Sequence, residues 1–466
     1  MAVTELLWSL YTKSPRFIGG AIIRKTCLTP SSMATAVWVV LASIGVAQAK
    51  PAPIVFAHVS VVPMDGDRVL SDQDVTIRGN AIASIEPAAS AKIARDAKII
   101  DGTGKFLMPG LGEMHAHLPS PADPPGYMET ALALYVANGV TTVRGMLGYS
   151  NHLVVRKQIE SGKLWGPSLF LAGPGLSGDT VKSPEDGVRQ VREQKAQGWD
   201  MVKILPGLTR AEYDAIMTEA RRLGIRTGGH VPKDVGIDHV LESGQETIEH
   251  LDGYEDAFGF GKYMPDDFLK AMALKTREAG AWTCPTLAIM RFVLALDHLN
   301  DLLARPEMEY IPQVQVDEWM KLYDRGVGKG VAAPEVERVI QQNRERLLKT
   351  LNDVGAPILL GDDTPNLFQV PGYSIHNELG AMQAAGLSPY DVLASGTKRV
   401  GEYLHKPVGT VTVGYIADLL LLDADPLKDV ANVKKLSGVM MRGQWYPGPE
   451  LQRRLKVIHD RPGNYR

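Results

Sequence analysis

His115 and His117 stand two residues apart in the run Met-Pro-Gly-Leu-Gly-Glu-Met-His-Ala-His. In a strand, side chains at i and i+2 project from one face, so both imidazoles can reach a common point beyond its end. That is metal-ligand geometry, although a lone His-x-His serves packing or the surface as readily. Lys203 lies inside Met-Val-Lys-Ile-Leu, where a strand buried on both faces would set an ammonium in an apolar interior. Its amine either pairs with a buried carboxylate or reaches solvent, or it sheds its proton and adds carbon dioxide to form a carbamate able to bridge two cations. His230, in Gly-Gly-His-Val-Pro, and His250, in Thr-Ile-Glu-His-Leu-Asp, end two further strand-like runs, and the glycines before His230 admit a close neighbour. Asp362 and Asp363 follow the apolar run Ile-Leu-Leu-Gly, where one acid can be ligand and proton shuttle while the other caps a helix. Imidazole and carboxylate donors without thiolates suit zinc first, with manganese, cobalt, nickel or iron as substitutes. Cys284 reads as a buried structural thiol.

Such residues need a scaffold that gathers distant chain segments. Eight apolar, strand-like runs end in or near them: MPGLGEMHAH, GVTTVRGM, SLFLAGPG, MVKILPG, RTGGHVP, TIEHLDG, AWTCPTLA and PILLGDDTP. Helical patterns such as PEDGVRQVREQKAQG and TRAEYDAIMTEARRLG alternate with them, the signature of repeated βα units and a parallel sheet. Eight units close a (β/α)8 TIM barrel, whose active sites form at the C-terminal ends of the strands. The connection from Ala288 to Ala356 is much longer than the others, which predicts helices of its own or a lid. Residues 54–107, and again the C-terminal stretch, alternate short β-rich runs with Gly, Asp and Asn turns.

Residues 33–47 form an uncharged apolar run preceded by Arg24 and Lys25 and followed by Ala47-Gln48-Ala49. This predicts a secretory signal peptide over 1–49 and a secreted or periplasmic product, because a bilayer span needs about 20 apolar residues. Cys27 leaves with that leader, so Cys284 has no partner for an internal disulfide. Of the 466 residues, 45% are hydrophobic and 22% charged, close to a soluble globular average. Lys plus Arg number 50 against 53 Asp plus Glu with no basic run, which excludes the electrostatic footprint of a nucleic-acid binder and leaves a small molecule as the expected partner. After leader removal no membrane association is expected, and a homo-oligomer stays open.

The ordered set His115, His117, Lys203, His230, His250 and an Asp of the 362/363 pair resembles the amidohydrolase superfamily of metal-dependent hydrolases, in its imidazolonepropionase-like and prolidase-like branch. The carrying segments are Phe106-Leu-Met-Pro-Gly-Leu through His115-Ala-His117, Val202-Lys203, Gly229-His230-Val231-Pro232, Ile248-Glu-His250, Gly361-Asp-Asp363 and Gly414-Tyr-Ile-Ala-Asp418-Leu-Leu-Leu-Leu-Asp423. The resemblance implies a (β/α)8 barrel over 108–405, flanked by a β-sandwich built from 50–107 and 406–466. It implies two divalent metal ions: one held by His115, His117, a Lys203 carbamate and Asp363, the other by the carbamate, His230 and His250. Asp362 stands where that family usually carries a small hydroxyl residue, and Gly112-Glu113 where it commonly carries Trp-Asp. The implied reaction is hydrolysis of an amide C–N bond by a metal-bridging hydroxide, with Asp363 moving the proton to the leaving nitrogen. A dipeptide or N-acyl amino acid is the expected substrate, with Arg144, Tyr254, Arg291 and His376 as candidates to meet it. The same centre serves lactonases, esterases and cyclic-amide hydrolases, and a non-catalytic periplasmic binding protein is the alternative outside enzymes.

Overall fold

In the computed structural model, which describes residues 52–460, strands from both chain ends meet in one sheet. The predicted leader, 1–49, lies outside the described residues. Strands β1 (Ile54–Val61), β2 (Leu70–Arg78), β3 (Ala81–Pro87), β4 (Lys98–Asp101) and β5 (Phe106–Pro109) come from the N-terminal side. After the intervening α/β region come β13 (Leu419–Leu422), β14 (Leu436–Met441) and β15 (Gln444–Pro447), and the order is β15-β14-β13-β5-β1-β2-β3 with β4 also on β1.

The sandwich expected for these segments is, in its pairing, a single curled sheet. Flat, β15 and β1 would lie about 19 Å apart at roughly 4.8 Å per strand. Yet Trp445 of β15 packs edge-on to Phe56 of β1 with ring centroids 5.2 Å apart. Both help enclose an apolar core that includes Val59, Val75, Leu107, Leu421 and Met440. The curl exists because only by folding over can one sheet bury its apolar side without a second layer.

The chain between these ends carries β6 (Leu111–Ala116), β7 (Val140–Gly145), β8 (Ser168–Leu171), β9 (Met201–Ile204), β10 (Arg226–Gly229), β11 (Thr247–Glu249) and β12 (Trp282–Cys284). All are parallel, in the orders β6-β7-β8 and β12-β11-β10-β9. Every residue of β6, β7 and β9 is buried, as expected for parallel strands covered on both faces. Seven of the eight predicted runs are thus strands. The eighth, 357–365, is tied in by isolated parallel bridges, Thr283 to Ile358 and Ala116 to Thr364, while Ala172 to Met201 joins β8 to β9. Both helical patterns form where expected: Pro184–Gln197 opens on Ser183 accepting from Asp186 N, and Arg210–Leu223 on a capping box between Thr209 and Glu212.

The long connection holds helices Leu287–Val293, Leu299–Leu303, Gln313–Asp324 and Pro334–Asp353, which enclose a second core around Phe292, Trp319 and Phe368. A C-terminal helix not evident in the sequence, Gly448–His459, adds Leu455 to that core beside Tyr127 and Leu134. Among the described residues no helix is long and apolar enough to cross a membrane.

Candidate metal centre

At the C-terminal ends of the parallel strands the predicted residues converge. One ligand atom each of His115, His250 and Asp363 lie within 4.8 Å of one another. His117 joins through Nε2, 2.9 Å from Asp363 Oδ1, and Lys203 through Nζ, 3.4 Å from His115 Nε2. His230 stacks on His250 with ring centroids 4.8 Å apart. All six candidates therefore occupy one cluster.

Close backbone packing makes this convergence possible. A Cβ at Gly361 would stand 2.6 Å from Cys284 Sγ and from His115 N, and one at Gly229 would stand 2.1 Å from Ile204 O. The glycines before His230 thus admit the neighbouring strand. His250, Thr286 and Asp363 hold left-handed backbone conformations, with φ of 58°, 48° and 66°. Non-glycine residues adopt these at a cost of about 1–3 kcal/mol each, which concentrates at sites where side-chain aim matters.

Three histidines are oriented from behind. His115 Nδ1 donates to Glu249 Oε2 at 2.6 Å, His230 Nδ1 to Asp252 Oδ2 at 2.7 Å, and His250 Nδ1 bonds Thr286 Oγ1 at 2.8 Å. With Nδ1 engaged, Nε2 is left as the donor atom toward the cluster, the arrangement typical of metal-bound imidazoles. Burial, and next the charge of Lys203, hold His115 well below its usual pKa; burial does the same for His250. Both rings are therefore neutral and able to ligate. Lys203 is wholly buried and burial lowers its pKa, which favours the free amine that carbamate formation needs. Burial works to raise Asp363, but His115 and His117 hold it down at about 2, so it is an anion. Neutral imidazoles, an anionic carboxylate and a deprotonatable lysine fit divalent cations.

Behind the cluster sit groups that sequence reasoning did not connect. Arg144 was expected to face substrate; instead it is wholly buried and spent in the interior. Its NH2 group lies 2.8 and 3.0 Å from the two oxygens of Glu249, its Nε donates to Met114 O, and NH1 reaches Tyr403 OH at 3.1 Å. Tyr254 is likewise buried and hydrogen-bonded to Thr276 at 2.7 Å. Arg291 and His376 do come together, but in a separate cavity of about 780 Å³ with Arg305 and Lys434, lined by none of the six cluster residues. Cys284 is buried as expected, packed with Met114, Leu359 and Tyr403.

Asp362 turns away from the cluster toward Glu113. Glu113 Oε1 accepts from the backbone N–H of His115 at 2.8 Å and of Asp362 at 3.2 Å, and both acids are wholly buried. Burial and then the charge of Asp362 push Glu113 well above the carboxylate range; burial raises Asp362 to about 7. The two unusual positions in the sequence are thus one paired feature. The carboxylates at 249 and 252 could have been suspected, since each sits one or two residues from a cluster histidine.

A parallel-stranded α/β fold with neutral imidazoles, a lysine and an aspartate gathered at its strand ends defines a metal-binding hydrolase class. The family model described as amidohydrolase family matches residues 106–446, and the chain belongs to that family. It is similar to ochratoxinase of Aspergillus niger, 23% identical over 415 residues that cover 74% of this chain and 76% of that protein. An adenine deaminase of Chelativorans is 34% identical over 280 residues, 56% of this chain and 44% of that one. Among solved structures, bottromycin amidohydrolase aligns with a TM-score of 0.69 at 22% identity, covering 88% of this chain and 91% of its own. A Xaa-Pro dipeptidase aligns at 0.65 and 19% identity, covering 85% and 100%. At these identities the structural likenesses speak for the fold.

Proposed function

We propose that this chain is a metal-dependent amidohydrolase that cleaves the C–N amide bond of a small substrate, a dipeptide or an N-acyl amino acid. The observation that carries the reading is the convergence of His115, His117, Lys203, His230, His250 and Asp363, with three of the histidines oriented through Nδ1. We also infer that the two parallel sheets, with the bridged run 357–365, close an eight-membered β/α barrel, since bridges occur at both gaps. The curled sheet is then its flanking β-sandwich, within the expected limits of 50–107 and 406–466.

In this reading His115, His117, Asp363 and a Lys203 carbamate hold one divalent cation, with zinc the first choice, and the carbamate, His230 and His250 hold a second. Bound there, such cations supply Lewis acidity and lower the pKa of water. The protein groups do the rest. Asp363, anionic and held at Oδ1 by His117 and by the Asn366 amide at 3.1 Å, takes the proton of the attacking water and returns it to the leaving nitrogen. The leader assigned to 1–49 supports export, so the mature chain acts in the periplasm or outside the cell.

The test is elemental analysis of the mature chain expressed with zinc and bicarbonate, followed by a panel of dipeptides, N-acyl amino acids, lactones, cyclic amides and adenine. About two metals per chain with turnover of open-chain amides bears the reading out. Turnover confined to lactones, cyclic amides or adenine moves the activity to that chemistry, and metal-free protein without turnover points to the binding protein. Asp363→Asn should drop kcat by about 100-fold or more; a variant with unchanged turnover removes Asp363 from the proton path.

A further inference from the structure

A cavity opens beside His117 and runs to helix Gln313–Asp324 of the long connection. Its volume is about 100 Å³, below the roughly 150 Å³ that holds a benzene ring in a closed apolar cavity. A branched aliphatic side chain fills such a space, and a single ring enters it with small yielding of the walls. Leu118, Tyr127, Leu147, Tyr149, Trp319 and Leu322 form the apolar part of the lining. Tyr127 and Trp319 are each 1% exposed, and Trp319 packs edge-on to Phe368 with centroids 5.2 Å apart.

The charged groups among the lining residues carry one sign only. Asp123 accepts from the Ser120 backbone and hydroxyl at 2.7 and 2.8 Å, and Glu318 is paired with the outward Lys321 at 2.8 Å; no lysine or arginine lines the cavity. A substrate carboxylate placed here would find Asp123 and Glu318, and no guanidinium or ammonium among the lining residues to receive it. Arg144, the residue that could have received one, is locked against Glu249 inside the fold.

We propose that this pocket binds a branched-aliphatic or single-ring aromatic side chain of the substrate, carrying no negative charge, next to the scissile amide. The proposal rests on reading the neighbouring cluster as the amidohydrolase centre. The helix Gln313–Asp324 sets the choice by contributing Trp319, Leu322 and Glu318.

The experiment uses the metal-loaded mature chain and two dipeptide series, one varying the acyl residue and one the amine residue through Gly, Leu, Phe and Glu. On one side of the bond, kcat/KM for Leu or Phe should exceed Gly at least about tenfold, and exceed Glu by more. Leu322→Phe, which narrows the cavity, should shrink the Leu-to-Gly ratio several-fold. Glu318→Gln should raise the Glu substrate relative to Leu. Hydrolysis with flat preference on both sides, or ratios unmoved by both variants, overturns the pocket while leaving the amidohydrolase reading intact. Absence of any amide hydrolysis with metals bound overturns that reading, and the pocket with it.

Discussion

Glu249 and Glu113 are both wholly buried and each lies within two residues of a cluster histidine, yet their surroundings are opposite. Glu249 meets Arg144 at 2.8 and 3.0 Å and receives the His115 N–H. Burial works to lower the pKa of Arg144, but Glu249 more than offsets this and raises it. Glu113 faces another acid, Asp362, and the pair keeps a proton that neither residue would hold in water. One assembly is a matched ion pair that pulls on the imidazole of His115; the other is a protonated pair whose oxygen props the backbone of the same residue. Charge matching, not burial, decides which acid can orient a ligand.

The sharpest way to break this contrast is to unpair Glu249. Arg144→Met should destabilise the fold by about 3–5 kcal/mol in denaturant titrations, because it strands a buried charge. Glu249→Gln should weaken metal binding about 10–100-fold in chelator competition, by removing the carboxylate behind His115. Replacing both by apolar residues should recover much of the stability lost by Arg144→Met. Strictly additive costs would show that the two do not act as a unit.

A smaller effect is expected at the acid pair. Because Asp362 is raised to about 7 in the fold from an ordinary 3.8, its stabilising contribution is present at acid pH and is lost as pH rises through about 7. Thermal stability should therefore fall between pH 3.8 and about 7 and level off above, and Asp362→Ser should flatten that fall by about 1 kcal/mol or more. An identical slope in the variant would mean the pair does not share a proton.

Glu378 offers a third case. It is buried and pushed up to about 8, but the backbone N–H groups of Leu287 and Ala288 donate to its two oxygens at 2.8 and 2.7 Å and ease its ionised form. Its contribution is lost as pH rises from 4.5 to about 8, so Glu378→Gln should flatten the stability loss across that range, with metal content retained.

Much of the site was legible because strand periodicity and strand ends are local properties. His115 and His117 could be placed on one face from spacing alone, and Lys203 marked as unusual because the residues around it are apolar. The same reasoning misread Arg144 and Tyr254. A residue at a strand end can point outward to a ligand or inward among the strands, and the choice depends on neighbours 30 to 259 positions away: Met114, Glu249 and Tyr403 for Arg144. Arg291 and His376 line a cavity that none of the cluster residues reaches, together with Arg305 and Lys434, a grouping that no local pattern in the sequence marks.

By itself, then, the sequence determined the parallel α/β alternation, the paired terminal strand regions, the convergence of His115, His117, Lys203, His230, His250 and one acid of the 362/363 pair, and the helical content of the long connection. Those follow from periodicity, capping and residue chemistry, which act over a few positions. Only the tertiary structure decided that Asp363 faces the cluster while Asp362 turns to Glu113, that Glu249 backs His115, and that Trp319 and Glu318 wall the cavity beside His117. Each of these depends on the register between segments far apart in the chain, and register is fixed by packing the whole interior at once rather than by any local pattern.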